Sequence, residues 1–328
     1  MGQIHCWAAT VVAKLMSDEQ GIFRPVTYAP TDAGYFDYDI IEEGDFAHRG
    51  PVSLHDGAPV VALGAAQTFG RFVHRPYTLL LQETHGIACA NLGFAGPGPE
   101  VFLDMIDLIN LHPCVVVQVL SARSVATSFL GGTTGMKTVL VDGLRVSSPH
   151  QREMLKRFND VDLEIGDPIP VGSQMQAKAA WDATLASLPQ GRVAGMVEEV
   201  RATYVAEMTR LLKAVTGKKI LFWFSERAPD YALSYDNVEG LFGGFPQLVD
   251  QGVIDRIMPF ADGWVECITN RGMPMRMPPP GPGKKLPSPM TKFNTQYPSQ
   301  DMQDDAAAAL GPYLKAFLDK HGIAPQPA

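Results

Sequence analysis

Most of the signatures that would assign a function outright are missing from this 328-residue chain. Its four cysteines, Cys6, Cys89, Cys114 and Cys267, form no C-x-x-C pair, which excludes a zinc ribbon of the usual spacing. They imply no disulfide framework, so buried free thiols and a reducing, cytoplasmic compartment are expected. The eight histidines form no H-x-x-x-H cluster, and no metal is expected. No G-x-G-x-x-G follows a strand, which argues against a dinucleotide site. Gly131–Lys137 lacks the closing G-K-[ST] of a phosphate loop. Positive charge is in short supply too. The 27 Lys and Arg against 35 Asp and Glu give a net charge of −8, with no general footprint for nucleic acid or an anionic membrane. No apolar run approaches the length of a membrane span. The start, Met1 to Cys6, lacks the charged and apolar regions of a signal peptide, so none is expected.

What is present is an α/β pattern. With 46% hydrophobic residues the chain can bury a large core. Near-continuous apolar runs at 58–63, 87–92, 114–120, 219–224 and 264–268 read as strands buried on both faces, as a parallel sheet requires. Helical spacing follows at 100–111, 193–215 and 306–318. A three-layer α/β fold with a mainly parallel, five-stranded, doubly wound sheet is therefore expected. Residues 1–57 read as a cover segment, with Tyr35–Ile41 as an edge strand or packing strap. Residues 58–328 read as the main domain, carrying a mostly helical insertion at about 148–215.

The chain is organised around Val60-Val61-Ala62-Leu63-Gly64-Ala65-Ala66-Gln67-Thr68-Phe69-Gly70, a buried strand that stops at a glycine elbow and enters a helix. Ligands of open α/β sheets sit at such carboxyl ends. Four blocks in order carry a resemblance: Gly64–Gly70, Asn91-Leu92-Gly93-Phe94-Ala95-Gly96, Ser121-Ala122-Arg123, and Asn294-Thr295-Gln296-Tyr297-Pro298. Together they resemble the SGNH/GDSL hydrolase and acyltransferase superfamily, as a degenerate member similar to uncharacterised bacterial proteins known as a domain of unknown function. The resemblance implies a catalytic serine at Ala66, an asparagine donor at Arg123, an acid at Asn294 and a histidine at Tyr297. None of those residue types is there. Only Gly93 or Gly96 still offers a backbone oxyanion donor. Since acyl transfer by this route needs the hydroxyl and its base, ordinary serine esterase chemistry is not expected.

The replacements suggest other chemistry. Arg123, with Ser124, and Arg227 each follow a strand and would meet at one sheet edge beside Gly64, Gln67, Asn91, Gly93 and Gly96, a setting suited to phosphate, sulfate or carboxylate. The alternative is that Arg123 pairs with Glu226 or Asp230 and pins loops. Thr68 and Tyr297 remain as candidate catalytic hydroxyls, with helix capping and aromatic packing as their plainer roles. Three functions are compatible with these residues. One is a transferase of acyl or sulfuryl groups to cell-surface glycan or glycolipid, taking coenzyme A or a sulfonucleotide as donor. Another is a non-catalytic binding module. The last is a hydrolase with a displaced nucleophile at Thr68, Ser121 or Ser124.

Overall fold

The computed structural model describes residues 28–32, 35–43, 46–125, 127, 137–140, 168–171, 188–277 and 293–324. Its frame is a seven-stranded sheet. The parallel strands are β3 (Val60–Gly64), β4 (Cys89–Gly93), β5 (Cys114–Gln118), β8 (Lys218–Ser225) and β9 (Gly263–Ile268). They lie in the order β4-β3-β5-β8-β9, so the chain starts in mid-sheet, winds one way and then reverses to wind the other. All four contacts between them are parallel. The five parallel strands are the five expected from the apolar runs.

The remaining two strands come from the entry segment. β1 (Ile40–Glu43) and β2 (Phe46–Arg49) form an antiparallel hairpin, and Arg49 of β2 pairs with Asn91 of β4. The sheet thus has seven strands rather than five. Only Ile40 and Ile41 of this hairpin fall in Tyr35–Ile41, the stretch read as an edge strand or packing strap, because four-residue strands with polar members, such as Ile-Ile-Glu-Glu, carry little periodicity. A second difference lies in the stretch read as a helical insertion. There β7 (Pro168–Val171) pairs with β6 (Lys137–Leu140) as an antiparallel ribbon. Pro168 and Pro170 cannot supply the amide hydrogens a helix interior needs. The other residues of 141–187 lie outside the described ones. A further ribbon joins β10 (Met275–Arg276) to β11 (Phe293–Asn294).

Alternation along the strands builds three layers. Val61, Leu63, Val115, Val117, Leu221 and Trp223 face one core, covered by the long helix Gln190–Ala214 through Val193, Val200, Tyr204, Met208 and Leu211. Val60, Ala62, Val116, Ile220, Phe222 and Phe224 face the other. That side is covered by the helices Tyr77–His85 and Gln300–Lys320. Each fully buried side chain of this size contributes about 1.5–3 kcal/mol over exposure, so this double-sided burial holds the strand ends, and the loops leaving them, in place.

Candidate functional site

The elbow is built tightly. β3 ends at Gly64, Ala65 is extended (φ −95, ψ −154), and the four-residue helix Ala66–Phe69 closes on Gly70, which is left-handed at φ 73. Added side-chain carbons at Gly64 and Gly93 explain the choice of glycine. At Gly64 one would fall on Thr68 Oγ1 and Gln118 Oε1; at Gly93 one would fall on the Phe69 backbone. The short helix therefore sits directly on two strand ends.

A side-chain network locks it there. Gln118, fully buried at the end of β5, accepts from the Ala65 N–H (2.8 Å) and from the Thr68 hydroxyl (2.8 Å). With the Thr68 proton so committed, the Tyr77 hydroxyl donates to Thr68 Oγ1 (3.0 Å). Asn91 Nδ2 donates to the Thr68 carbonyl (2.7 Å) and to Thr78 Oγ1 (2.9 Å), and its Oδ1 accepts from the Gly93 N–H (2.9 Å). Gln303 of the last long helix donates to the Gln67 carbonyl (2.9 Å) and accepts from the Tyr77 N–H (2.8 Å). The geometry gives Thr68 a structural hydroxyl, with no surface exposed and no base beside it, in place of the catalytic or capping role expected; Ala65 is the N-cap. Likewise Asn91 and Gly93 serve the lock, and the Gly93 N–H expected to serve an oxyanion is already occupied. Gly96 turns the following loop at φ 61. Ala66, at the serine position, is 5% exposed. Within this network two side-chain groups stay unsatisfied, Gln67 Oε1 and Gln118 Nε2.

On one side of the elbow the entry segment makes a sealed ionic and aromatic plug. Arg71 donates from Nε and Nη2 to the two oxygens of Asp32 (2.9 and 2.7 Å) and from Nη1 to the Tyr297 hydroxyl (2.7 Å). Its guanidinium also stacks on Tyr28, Phe72 and Tyr297 (4.3, 4.6 and 4.7 Å to the centroids). Asp32 is fully buried and also accepts from the Tyr38 hydroxyl (2.7 Å). Burial alone would lower the Arg71 pKa; the bonds to Asp32 and the surrounding phenols raise it instead. Tyr38 is pushed up by burial and then by Asp32. Tyr297 thus lies where the resemblance implies a histidine, but its hydroxyl faces a guanidinium. Asn294, at the implied acid position, folds back on its own loop, accepting from the Gln296 and Tyr297 N–H groups (2.9 Å each) and donating to the Tyr297 carbonyl (2.7 Å). Beneath the plug, Arg49 donates to the Val73 and His74 carbonyls (3.2 and 3.0 Å), and burial pulls its pKa down to about 10.

The arginines past β5 and β8 differ sharply. Arg227 is held by carbonyls: Nε donates to the Gly244 carbonyl (3.0 Å), Nη1 to Ala228 (3.0 Å), and Nη2 to Pro246 (2.6 Å) and Val249 (2.7 Å). Its Cζ lies over the Trp223 and Tyr231 rings (5.1 and 4.1 Å to the centroids). It clamps the 243–249 loop with four of its five N–H groups, leaving one Nη1 N–H for any ligand. Ser225 adds a bond to the Phe245 carbonyl (2.5 Å), and the loop reaches back so that the Gln247 carbonyl accepts from the Ala122 N–H (3.0 Å). Arg123 is the opposite case. It sits in the one-turn helix Ala122–Ser124 after β5, 9% exposed, its backbone N–H bonded to Ser121 Oγ (3.3 Å). Among the described residues its guanidinium has no hydrogen-bond acceptor and no acidic neighbour, neither Glu226 nor Asp230; it lies over the Phe242 ring at 4.7 Å. Burial pulls its pKa down to about 10, so it stays charged at neutral pH. Ser124, beside it, is 1% exposed.

Sequence reasoning missed Gln118, Asp32 and Phe242. Gln118 had a signal, being the lone polar residue within an apolar strand run. Among the described residues no group of three or more His, Cys, Asp or Glu could hold a metal ion, and no helix is long and apolar enough to cross a membrane.

A family model described as a domain of unknown function (DUF6473) matches residues 27–130 and 183–318, well over half the chain. The chain belongs to this family. The two matched stretches hold the elbow, the plug, Arg123 and Arg227, and leave out the 131–182 stretch. No curated protein matches the sequence. Solved structures with a similar course include a carbohydrate esterase family 2 enzyme with a carbohydrate-binding domain from Corynascus thermopiles (Myceliophthora fergusii), at 10% identity and TM-score 0.36, over 83% of this chain and 70% of that one. A protein from Lactobacillus plantarum matches at 12% identity and TM-score 0.30, over 80% and 97%. A protein from Desulfitobacterium hafniense described as lipolytic and of the G-D-S-L family matches at 13% identity and TM-score 0.27, over 76% and 97%. At these identities and scores neither chemistry nor substrate transfers to this chain.

Proposed function

We propose that the protein is a ligand-binding module of SGNH-like build, which holds an anionic group of its ligand on Arg123 and runs no serine–histidine chemistry at the elbow. The observation that carries this reading is the Arg123 guanidinium, nine-tenths buried and without an acceptor among the described residues. A buried charge left unpaired is costly. Proteins keep such groups where a ligand completes them. The occupied elbow supports the other half: Ala66 has no nucleophile, the Thr68 proton goes to an amide oxygen, and Tyr297 faces Arg71.

The transferase reading, with coenzyme A or a sulfonucleotide as donor and a cell-surface glycan or glycolipid as acceptor, needs a base aimed at the acceptor. The two hydroxyls expected to help, Thr68 and Tyr297, are both committed, which favours binding over transfer. Thermal shift of the wild type and Arg123→Ala against acetate, sulfate, coenzyme A and adenosine 3′,5′-bisphosphate tests the reading. Saturating ligand at about a hundred times its dissociation constant adds about 2.7 kcal/mol. A shift present in the wild type and absent in Arg123→Ala supports the site; equal shifts in both remove Arg123 from it. Labelling by a fluorophosphonate probe would instead favour a displaced nucleophile.

A further inference from the structure

The charge around Arg123 narrows what it can hold, granted the anion-binding reading above. The other guanidiniums around the strand ends are engaged to different degrees, and Arg49 under the plug keeps Nε and Nη1 without partners. Arg227 has four of its five N–H groups on carbonyls, Arg71 pairs with Asp32, and Arg201 with Asp250 (2.5 Å) and the Leu248 carbonyl (3.0 Å). Of the arginines that follow β5 and β8, Arg123 is therefore the one with no acceptor among the described residues, within a chain of net charge −8. In a site nine-tenths buried, matching of charge decides affinity. One negative charge on the ligand neutralises the guanidinium; a second would be left desolvated and uncompensated. The shape agrees. The Arg123 Cζ lies over the Phe242 ring, 4.7 Å from its centroid, and a guanidinium offers paired N–H groups along its edges to two oxygens of one ligand group. The loop following Phe242 is fixed by Arg227, Ser225 and the Gln247–Ala122 bond, so the ring that orients Arg123 is held before any ligand arrives.

We infer that the group held by Arg123 is a singly charged oxyanion, a carboxylate or a sulfate ester, and that the site discriminates against phosphate dianions. Calorimetric titration of the wild-type protein with methyl phosphate tests this with one probe in two charge states. Its second pKa is about 6, so it carries one charge at about pH 5 and two at about pH 8. Methyl sulfate and acetate, singly charged at both pH values, serve as references. The expected result is methyl phosphate binding at least about tenfold weaker at the higher pH than at the lower. Methyl sulfate and acetate should change little, and all binding should be lost in Arg123→Ala. Methyl phosphate binding as tightly or more tightly as a dianion overturns the inference while leaving the anion site standing. Absence of any Arg123-dependent binding to all three probes overturns both. The separate sources, carboxylate and sulfate ester, are distinguished by whether acetate or methyl sulfate binds more tightly.

Discussion

Replacing Asp32 by alanine removes the anchor of the plug. Asp32 has no exposed surface, and it takes two bonds from Arg71, at 2.9 and 2.7 Å, and one from Tyr38 at 2.7 Å. Its loss strands a guanidinium that is 7% exposed and leaves the Tyr38 hydroxyl without its acceptor. Breaking a buried pair from one side costs about 3–5 kcal/mol. Arg71 would keep the Tyr297 hydroxyl and three aromatic faces, which places the cost near the lower end, about 3 kcal/mol. Urea unfolding of the wild type, Asp32→Ala, Arg71→Met and the double variant measures this, with unchanged m-values as the check that the transition is comparable. The double variant should cost at least about 2 kcal/mol less than the sum of the singles, because neither partner is then left charged and buried. An Asp32→Ala cost under about 1 kcal/mol, or strict additivity, would refute the view that the pair is buried and mutually dependent.

The other consequences are as specific. Arg227→Ala frees four carbonyls of the 243–249 loop and its flank; it should lower stability by about 2–4 kcal/mol and weaken anion binding by loosening Phe242, both read by titration at a temperature where the variant is folded. Arg123→Ala, by contrast, removes an unpaired buried charge and should leave stability unchanged or raise it by up to about 1 kcal/mol, measured by the urea midpoint. Gly93→Ala puts a methyl group against the Phe69 backbone and should prevent soluble expression, whereas Gly86→Ala, where an added carbon meets nothing within 4 Å, should cost only about 1 kcal/mol for its positive φ. Burial holds His48 and His112 below the usual histidine range. Both are favoured neutral in the fold, so their stabilising contribution is present above about pH 6.5 and is lost as pH falls below that toward their folded values; a urea-midpoint series from about pH 8 to 5 should show this fall, and His112→Gln should flatten it.

Much of this fold is written in short-range pattern. The runs at 58–63 and 114–120 had to be strands covered on both sides, because they have no polar face to give to water. The elbow was legible for a similar reason: a strand that ends in Gly64 with a helix following leaves few alternatives. The hairpin Ile40–Arg49 was not, since its pairing with Asn91 depends on a partner some forty residues away and not on its own composition. The site was legible only in part. Sequence could show that serine and histidine are absent from their implied positions, and that Arg123 and Arg227 follow strands. It could not show that Arg227 is held by four carbonyls and Arg123 by none, because backbone acceptors carry no residue signature. Nor could it reveal that Arg71 is matched by Asp32, since that contact joins separate elements in space.

The most direct check on the central claim is an anomalous difference map from crystals of the full chain soaked in sodium iodide. The account predicts an iodide peak within hydrogen-bonding reach of the Arg123 guanidinium and none on Arg227. An Arg123 guanidinium closed by a protein carboxylate or carbonyl, with halide confined to surface lysines, would contradict it.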